Sequence, residues 1–122
     1  MKIERFEDIK AWQLAKDVVV EIYRISRHSQ LVKDFALKEQ IQKAAVSVMS
    51  NIAEGFERES RKEFIQFLII ARGSCAEVKS LLYLILELEF IDKIKFKELY
   101  NKLTEIAKMI NGFIKYLRST EN

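Results

Sequence analysis

Residues 96–117, FKELYNKLTEIAKMINGFIKYL, decide the fold class of this chain. Apolar side chains recur there at alternating intervals of three and four residues, at Phe96, Leu99, Leu103, Ile106, Ile110, Phe113 and Leu117. That spacing puts them along one side of an α-helix, the pattern of a helix that packs against others in a bundle. Asp92 precedes the run and is of a residue type that caps helix N-termini. The stretch therefore predicts a long bundle helix that starts just after Asp92.

Three further amphipathic segments precede this helix. Their predicted bounds are about Phe6–Arg27, Ala36–Glu54 and Arg61–Glu89. Gly55 follows the second segment directly, and because glycine tolerates the left-handed conformation, we expect it to cap that helix. Ser60 and Glu63 have the spacing of a capping box, which predicts the start of the third helix.

The composition supports one helical domain. The chain has 122 residues, no proline, three glycines and 49% hydrophobic residues. This length fits a single domain, and the apolar content argues against disorder. Few turn-forming residues argue against an all-β protein, and the short connections favour antiparallel neighbours. We therefore predict an all-α, antiparallel up-and-down four-helix bundle, a single domain over residues 1–122.

The first residues, MKIERFEDIK, lack the apolar core of a signal peptide. The chain contains no run of 18 apolar residues, so we expect no membrane association. The single Cys75 cannot form an intramolecular disulfide, and its apolar surroundings in sequence favour a buried thiol. These features predict a cytoplasmic protein.

No residue constellation indicates catalysis. The one histidine, His28, lies in a charged connection, and nothing in the sequence orients it toward Cys75. The glutamates between residues 54 and 63 lack the histidine partners that carboxylate metal sites in bundles use. We expect no catalytic, cofactor-binding or metal-binding residues, and hence a protein that is not an enzyme.

Positive charge is concentrated in the last third of the chain. Residues 91–122 contain seven Lys and Arg against four Asp and Glu, a net charge of +3. On the fourth helix, all charged residues within an arc of about 80° are cations. The same arc contains Tyr100, Thr104 and Asn111. These cations, called the basic strip below, are Lys93, Lys97, Lys108, Lys115 and Arg118. The strip fits a nucleic-acid contact, and equally a solvated lysine face.

The third helix carries apolar residues on two sides. Besides its heptad positions, it has a second stripe formed by Ile65, Ile69, Ala76 and Tyr83. A second stripe suggests that another surface covers it. We favour a subunit interface over coverage by the loop after the first helix or by wide internal packing. Gly73 lies inside the same helix, where glycine is unfavourable. We therefore expect a neighbouring helix to approach closely at this position.

A polar ridge follows the apolar face of the second helix. Ser47, Asn51 and Glu54 succeed one another at intervals of four and three residues. Side chains so close to a core are seldom unpaired, so we expect Asn51 to bond a neighbouring helix or loop and Glu54 to pair with Arg72. The ridge would then fix the corner between the second and third helices; a ligand pocket is the alternative.

Residues 44–82, AAVSVMSNIAEGFERESRKEFIQFLIIARGSCAEVKSLL, resemble the four-helix-bundle proteins encoded in intervening sequences of bacterial 23S ribosomal RNA genes. The motif residues Ser47, Asn51, Glu54, Gly55, Arg72 and Gly73 all lie in this stretch. Residues 6–23 resemble the family's first helix. Met49 stands where the family often has proline, and Gln42-Lys43 replaces a basic pair.

The resemblance implies a ring-like homopentamer without enzymatic activity. The chain is also similar to the accessory variability proteins of diversity-generating retroelements, which associate with nucleic acid and a reverse transcriptase. Two functions are therefore expected from different classes. One is binding of structured RNA or DNA through the basic strip, and the alternative is a scaffold that recruits a protein partner such as a polymerase.

Overall fold

The computed structural model describes residues 3–120. Within this range the chain forms four α-helices and no strand. The helices are α1 (Lys10–His28), α2 (Phe35–Phe56), α3 (Arg61–Glu87) and α4 (Lys93–Ser119). Short 3₁₀ turns precede α1 at Phe6–Asp8 and α2 at Gln30–Lys33. The all-α prediction is confirmed.

Successive helices run antiparallel around one core. Each helix contacts the next, and α1 contacts α4. Gln40 near the start of α2 reaches Glu77 in the second half of α3, whereas Gly55 at the end of α2 meets Phe64 at the start of α3. Phe64 in turn contacts Phe113 near the end of α4, with ring centroids 5.1 Å apart. The up-and-down bundle predicted from the sequence is therefore confirmed.

The apolar residues that recur along positions 96–117 form a seam on α4, and this seam completes the core. Five of its members are buried, at Leu99, Leu103, Ile106, Ile110 and Leu117, while Phe96 and Phe113 are half-buried. Because the seam faces inward, the opposite side of α4 faces solvent. This orientation exposes the basic strip.

Side-chain caps start the last three helices. The carboxylate of Asp34 accepts from Leu37 N–H at 3.1 Å, and that of Asp92 accepts from Lys95 N–H at 2.8 Å. The Ser60 hydroxyl accepts from Glu63 N–H at 3.1 Å. These bonds satisfy amides that have no partner within the helix, so the local sequence alone fixes the three start points.

The first helix starts later than predicted. The carboxylate of Asp8 accepts from the backbone N–H groups of Glu4 and Arg5, at 3.3 and 3.2 Å, and holds residues 6–8 in a 3₁₀ turn. Regular α-helix begins only at Lys10, not at Phe6. Competition between local side-chain bonds and helix explains the difference.

The third helix ends at Glu87 rather than at Glu89. Glu89 adopts a left-handed conformation with φ of 63°. Phe90 N–H then donates to Ile85 C=O, and Glu89 N–H donates to Leu86 C=O. This pair of bonds is a Schellman motif, which usually has glycine at the left-handed position.

Gly55 does not cap α2, contrary to the prediction. The helix continues to Phe56, and no glycine among residues 3–120 has a positive φ. Gly55 is buried against α3 instead. A Cβ placed there would lie 2.7 Å from Phe67 Cβ and 2.9 Å from Phe64 Cδ1. Glycine is needed because no side chain fits between the two helices.

An ionic cluster joins α1 to α4. Lys95 Nζ lies 3.2 Å from Glu21 and 3.1 Å from Glu98. The hydrogen bond to Lys95 lowers the pKa of Glu21, and bonds to Glu98 and Glu21 raise the pKa of Lys95.

No helix in the described part of the chain combines the length and the apolar character that crossing a membrane requires.

The contact at Gly55 predicts opposite effects of two identical substitutions. Gly55→Ala should destabilise the protein by about 1–3 kcal/mol, because the added methyl overfills a tight contact. Gly112→Ala should stabilise it by about 0.5–1 kcal/mol, because alanine favours helix and nothing lies within 4 Å of the new Cβ. Urea unfolding at one protein concentration measures both. A Gly55→Ala protein as stable as the Gly112→Ala protein would contradict the close approach.

Candidate nucleic-acid interface

The basic strip lies on the outer side of α4, opposite the buried seam. All five of its residues, Lys93, Lys97, Lys108, Lys115 and Arg118, are exposed. Among residues 3–120, none of them lies within 4.0 Å of a carboxylate oxygen. Lys95 is the contrast on the same helix, because two glutamates engage it. The strip therefore presents charge that ion pairs within residues 3–120 do not use.

Two cations of α3 reach across the groove between α3 and α4 and widen the positive surface of the strip. Arg72 Nη1 donates to Asn111 Oδ1 at 2.9 Å. Lys79 Nζ lies 4.7 Å from the ring centroid of Tyr100, within cation–π distance. Neither contact was predicted from the sequence, from which Arg72 was expected to pair with Glu54. Helical periodicity gives the side of α3 on which they lie, but not that α4 is the neighbour there.

The groove between α3 and α4 also contains an aromatic cluster formed by Tyr83, Phe96 and Tyr100. The ring centroid of Tyr83 lies 5.0 Å from that of Phe96 and 5.6 Å from that of Tyr100, and those of Phe96 and Tyr100 are 5.4 Å apart. Tyr83 and Phe96 were assigned to different surfaces from the sequence. The residues come together because α3 turns directly into α4.

The predicted polar ridge lies on the other flank of α3, between α2 and α3. The hydroxyl groups of Ser47 and Ser74 are 2.8 Å apart. Asn51 Nδ2 donates to Ser47 C=O at 2.8 Å and to Ser47 Oγ at 3.0 Å, so Asn51 bonds its own helix rather than the neighbouring helix or loop that was expected. Glu54 is exposed and does not pair with Arg72, which points to α4. That predicted pair was wrong, because Arg72 reaches from α3 across to α4, whereas Glu54 lines a surface cleft with Phe6 and Ala53.

The four predicted interface residues have different environments. Ile65 is only 8% exposed, so the chain's own core covers it. Tyr83 contacts α4, yet half of its side chain remains exposed. Ile69 is 36% exposed, and Ala76 is also exposed. Ile65 was expected at a subunit interface, but its side chain packs into the core of its own bundle.

The exposed apolar surface of α3 is wider than the predicted stripe. Ile70, Leu84 and Leu88 are large exposed side chains that the sequence pattern did not assign to it. A Cβ at Gly73 would have nothing within 4 Å, so no other helix in residues 3–120 approaches this glycine closely. With Ile69 and Ala76, these residues form the surface called the α3 outer face below.

Cys75 and His28, the residues considered for nucleophilic catalysis, have different environments in the described part of the chain. Cys75 is buried, and burial raises the pKa of its thiol to about 12, so it carries no thiolate near neutral pH. His28 is exposed at the end of α1. In residues 3–120 no group of three or more His, Cys, Asp or Glu side chains is placed to hold a metal ion.

The Ser47–Ser74 contact predicts energetic coupling between α2 and α3. Each of Ser47→Ala and Ser74→Ala should lower the free energy of unfolding by about 0.5–1.5 kcal/mol. The double variant should lose less than the sum of the two, because both substitutions remove one shared bond. A double-mutant cycle by urea unfolding measures the coupling, and strictly additive losses would argue against the bond.

Comparisons with known proteins agree with this architecture. A solved structure from Bacteroides thetaiotaomicron VPI-5482 is similar to the chain, with a TM-score of 0.79 and 27% sequence identity. The match covers 86% of this chain and 95% of the other. That protein is described as one of unknown function from the S23 ribosomal protein family. No curated protein matches the chain.

A family model matches most of the sequence. It is the model of the 23S rRNA-intervening sequence protein, and it aligns with residues 7–112. The matched range contains all four helices except the last turns of α4. It includes the Ser47–Asn51 ridge, the Gly55 contact and most of the basic strip. The chain therefore belongs to the 23S rRNA-intervening sequence protein family.

Proposed function

We propose that this protein is a non-enzymatic, cytoplasmic oligomer that binds structured RNA, or another nucleic acid, through the basic strip. The observation that carries the proposal is the set of five exposed cations on one side of α4, without carboxylate partners in residues 3–120. Cations that are free of ion pairs can neutralise phosphates without first breaking internal contacts. Phosphate neutralisation releases counterions, which drives association.

The length of the strip suits a nucleic-acid backbone. Lys93 and Arg118 stand 25 residues apart in a continuous helix, which corresponds to about 37 Å at the helical rise. One turn of duplex DNA has a length of about 34–36 Å. A rod of this length can meet phosphates at several points along one turn. Arg72 and Lys79 widen the positive surface toward α3.

The α3 outer face supports self-association. Its large apolar side chains, Ile69, Ile70, Leu84 and Leu88, are exposed in the single chain. Gly73 and Ala76 lie among them with little or no side chain, so another helix could approach closely. We propose that copies of the chain cover this face, in a homopentameric ring as the family resemblance implies. Repetition of the strip around an assembly would multiply a weak contact by effective concentration.

Salt dependence tests the nucleic-acid contact. Wild-type protein should bind a labelled RNA hairpin near 50 mM salt, and its affinity should fall steeply as salt rises. Lys108→Gln with Lys115→Gln should weaken binding and reduce the slope of log K against log salt by roughly 2, about one unit for each phosphate that is no longer neutralised. Fluorescence anisotropy over a salt series measures both quantities.

A charge-matched control separates the strip from net charge. Lys10→Gln with Lys62→Gln removes the same two positive charges from exposed positions on α1 and α3. This control should bind with nearly the wild-type slope. Equal weakening by the two double variants would mean that net charge rather than the strip is responsible. Absence of wild-type binding near 50 mM salt would refute the proposed function.

Two glycine substitutions test the assembly. Gly73→Leu places a bulky side chain on the α3 outer face, while Gly112→Leu places it on α4 outside the strip; both sites are open in the single chain. Gly73→Leu should lower the native mass measured by light scattering, with helical circular dichroism unchanged. Gly112→Leu should keep the wild-type mass. A wild-type particle with the mass of one subunit, 14.4 kDa, would rule out the assembly.

A protein-interaction scaffold is the second candidate, favoured by apolar side chains at one end of the bundle. Phe35 at the start of α2 and Ile94 at the start of α4 are both 73% exposed. Phe35 and Phe90 line one surface cleft there, and Phe90, Ile91 and Lys93 line the next. A partner such as a polymerase would cover this end rather than the strip.

Pull-down from native lysate separates the two candidates. Partners that survive nuclease treatment and are lost with Phe35→Ser plus Ile94→Ser would favour the scaffold. Partners lost on nuclease treatment, and retained by that double variant, would favour nucleic-acid binding. The strip variant Lys108→Gln with Lys115→Gln provides the reciprocal control, since it should affect only the nuclease-sensitive partners.

A further inference from the structure

Tyr100 is the aromatic residue that the sequence places within the basic strip, but its ring is engaged by the chain itself. Phe96 stacks on it at a centroid distance of 5.4 Å and an interplanar angle of 29°. Lys79 Nζ also lies over the ring, 4.7 Å from the centroid. Since both neighbours make face-on contacts, Tyr100 is poorly placed to stack on a ligand.

Tyr83 differs from Tyr100 in how it is held. Its ring meets Phe96 at 58° and Tyr100 at 74°, so these neighbours hold it without stacking flat on it. The side chain is nevertheless 52% exposed. A ring fixed by its neighbours and half open to solvent can accept a flat ligand at little cost in side-chain order.

The surroundings of Tyr83 have a mixed charge pattern. Toward the strip, Lys93 lines the same surface cleft, which has a volume of about 830 Å³. Glu87, Glu89 and Asp92 also line this cleft. These carboxylates repel a phosphate, whereas an uncharged nucleobase meets no such penalty. The cleft therefore favours a base, with the phosphate held on the α4 side.

We propose that Tyr83 is a stacking platform for an unpaired base of the bound RNA, next to the phosphates that the basic strip holds. This inference rests on the proposed function and narrows its ligand to RNA with a single-stranded loop, bulge or end. Base–aromatic stacking tolerates any base, because every base has a flat face. It therefore selects unpaired structure rather than sequence, as is common in RNA recognition.

Two RNAs and three variants test the platform: a hairpin with an unpaired loop, a blunt duplex of the same stem, and Tyr83→Leu, Tyr83→Phe and Tyr116→Leu. Tyr83→Leu should weaken hairpin binding about tenfold, the size of one missing stack, and leave duplex binding unchanged. Tyr83→Phe keeps the ring and should bind as wild type. Tyr116→Leu should also do so, because it removes an exposed tyrosine of α4 outside the strip.

The outcomes distinguish this inference from the proposed function. Unchanged hairpin affinity of Tyr83→Leu, with steep salt dependence intact, would overturn the platform alone. Equal weakening of hairpin and duplex would also overturn it, because loss of assembly or of phosphate contacts affects both RNAs; light scattering of Tyr83→Leu identifies the first of these causes. Failure of the wild type to bind either RNA at low salt would refute the proposed function, and the platform with it.

Discussion

The close contact between the end of α2 and the start of α3 is the constraint on which the rest of the bundle depends. Gly55 leaves room for Phe64 and Phe67 to lie directly against the α2 backbone. About two helical turns farther along the pair, Ser47 and Ser74 join the helices through their hydroxyl groups. With this corner fixed, one flank of α3 is covered by α2 and the other must receive α4.

The two flanks of α3 differ in chemistry as a consequence. Toward α2 the contact includes small polar groups, which bond one another and allow close packing. Toward α4 it includes aromatic rings and two cations, Arg72 and Lys79, whose long side chains reach across the groove. Charge therefore collects on the α3–α4 side, where the basic strip also lies. The α3 outer face between these flanks stays apolar and uncovered within the chain.

The lysines of α4 differ in whether a carboxylate engages them. Lys95 is used structurally, since Glu21 of α1 and Glu98 hold it in place. Lys108 and Lys115 have the same chemistry, but among residues 3–120 no carboxylate oxygen lies within 4.0 Å of either. A lysine that is held in a salt bridge of its own chain is not free to pair with an external phosphate. The fold therefore engages Lys95 in ion pairs and leaves Lys108 and Lys115 without them in residues 3–120.

The sequence by itself determined what short-range interactions control. Caps at Ser60 and Asp92, the seam of α4 and the composition of the basic strip depend on residues close together along the chain, and all could be read without a structure. Tertiary structure alone decided which neighbour each flank meets. Glycine at position 55 fits a helix cap as well as a close contact, and only the approach of α3 distinguishes them. Likewise, Arg72 bonds Asn111, 39 residues away, and Tyr83 joins the rings of α4, because partners so distant along the chain are set by packing and leave no periodic signal in the sequence.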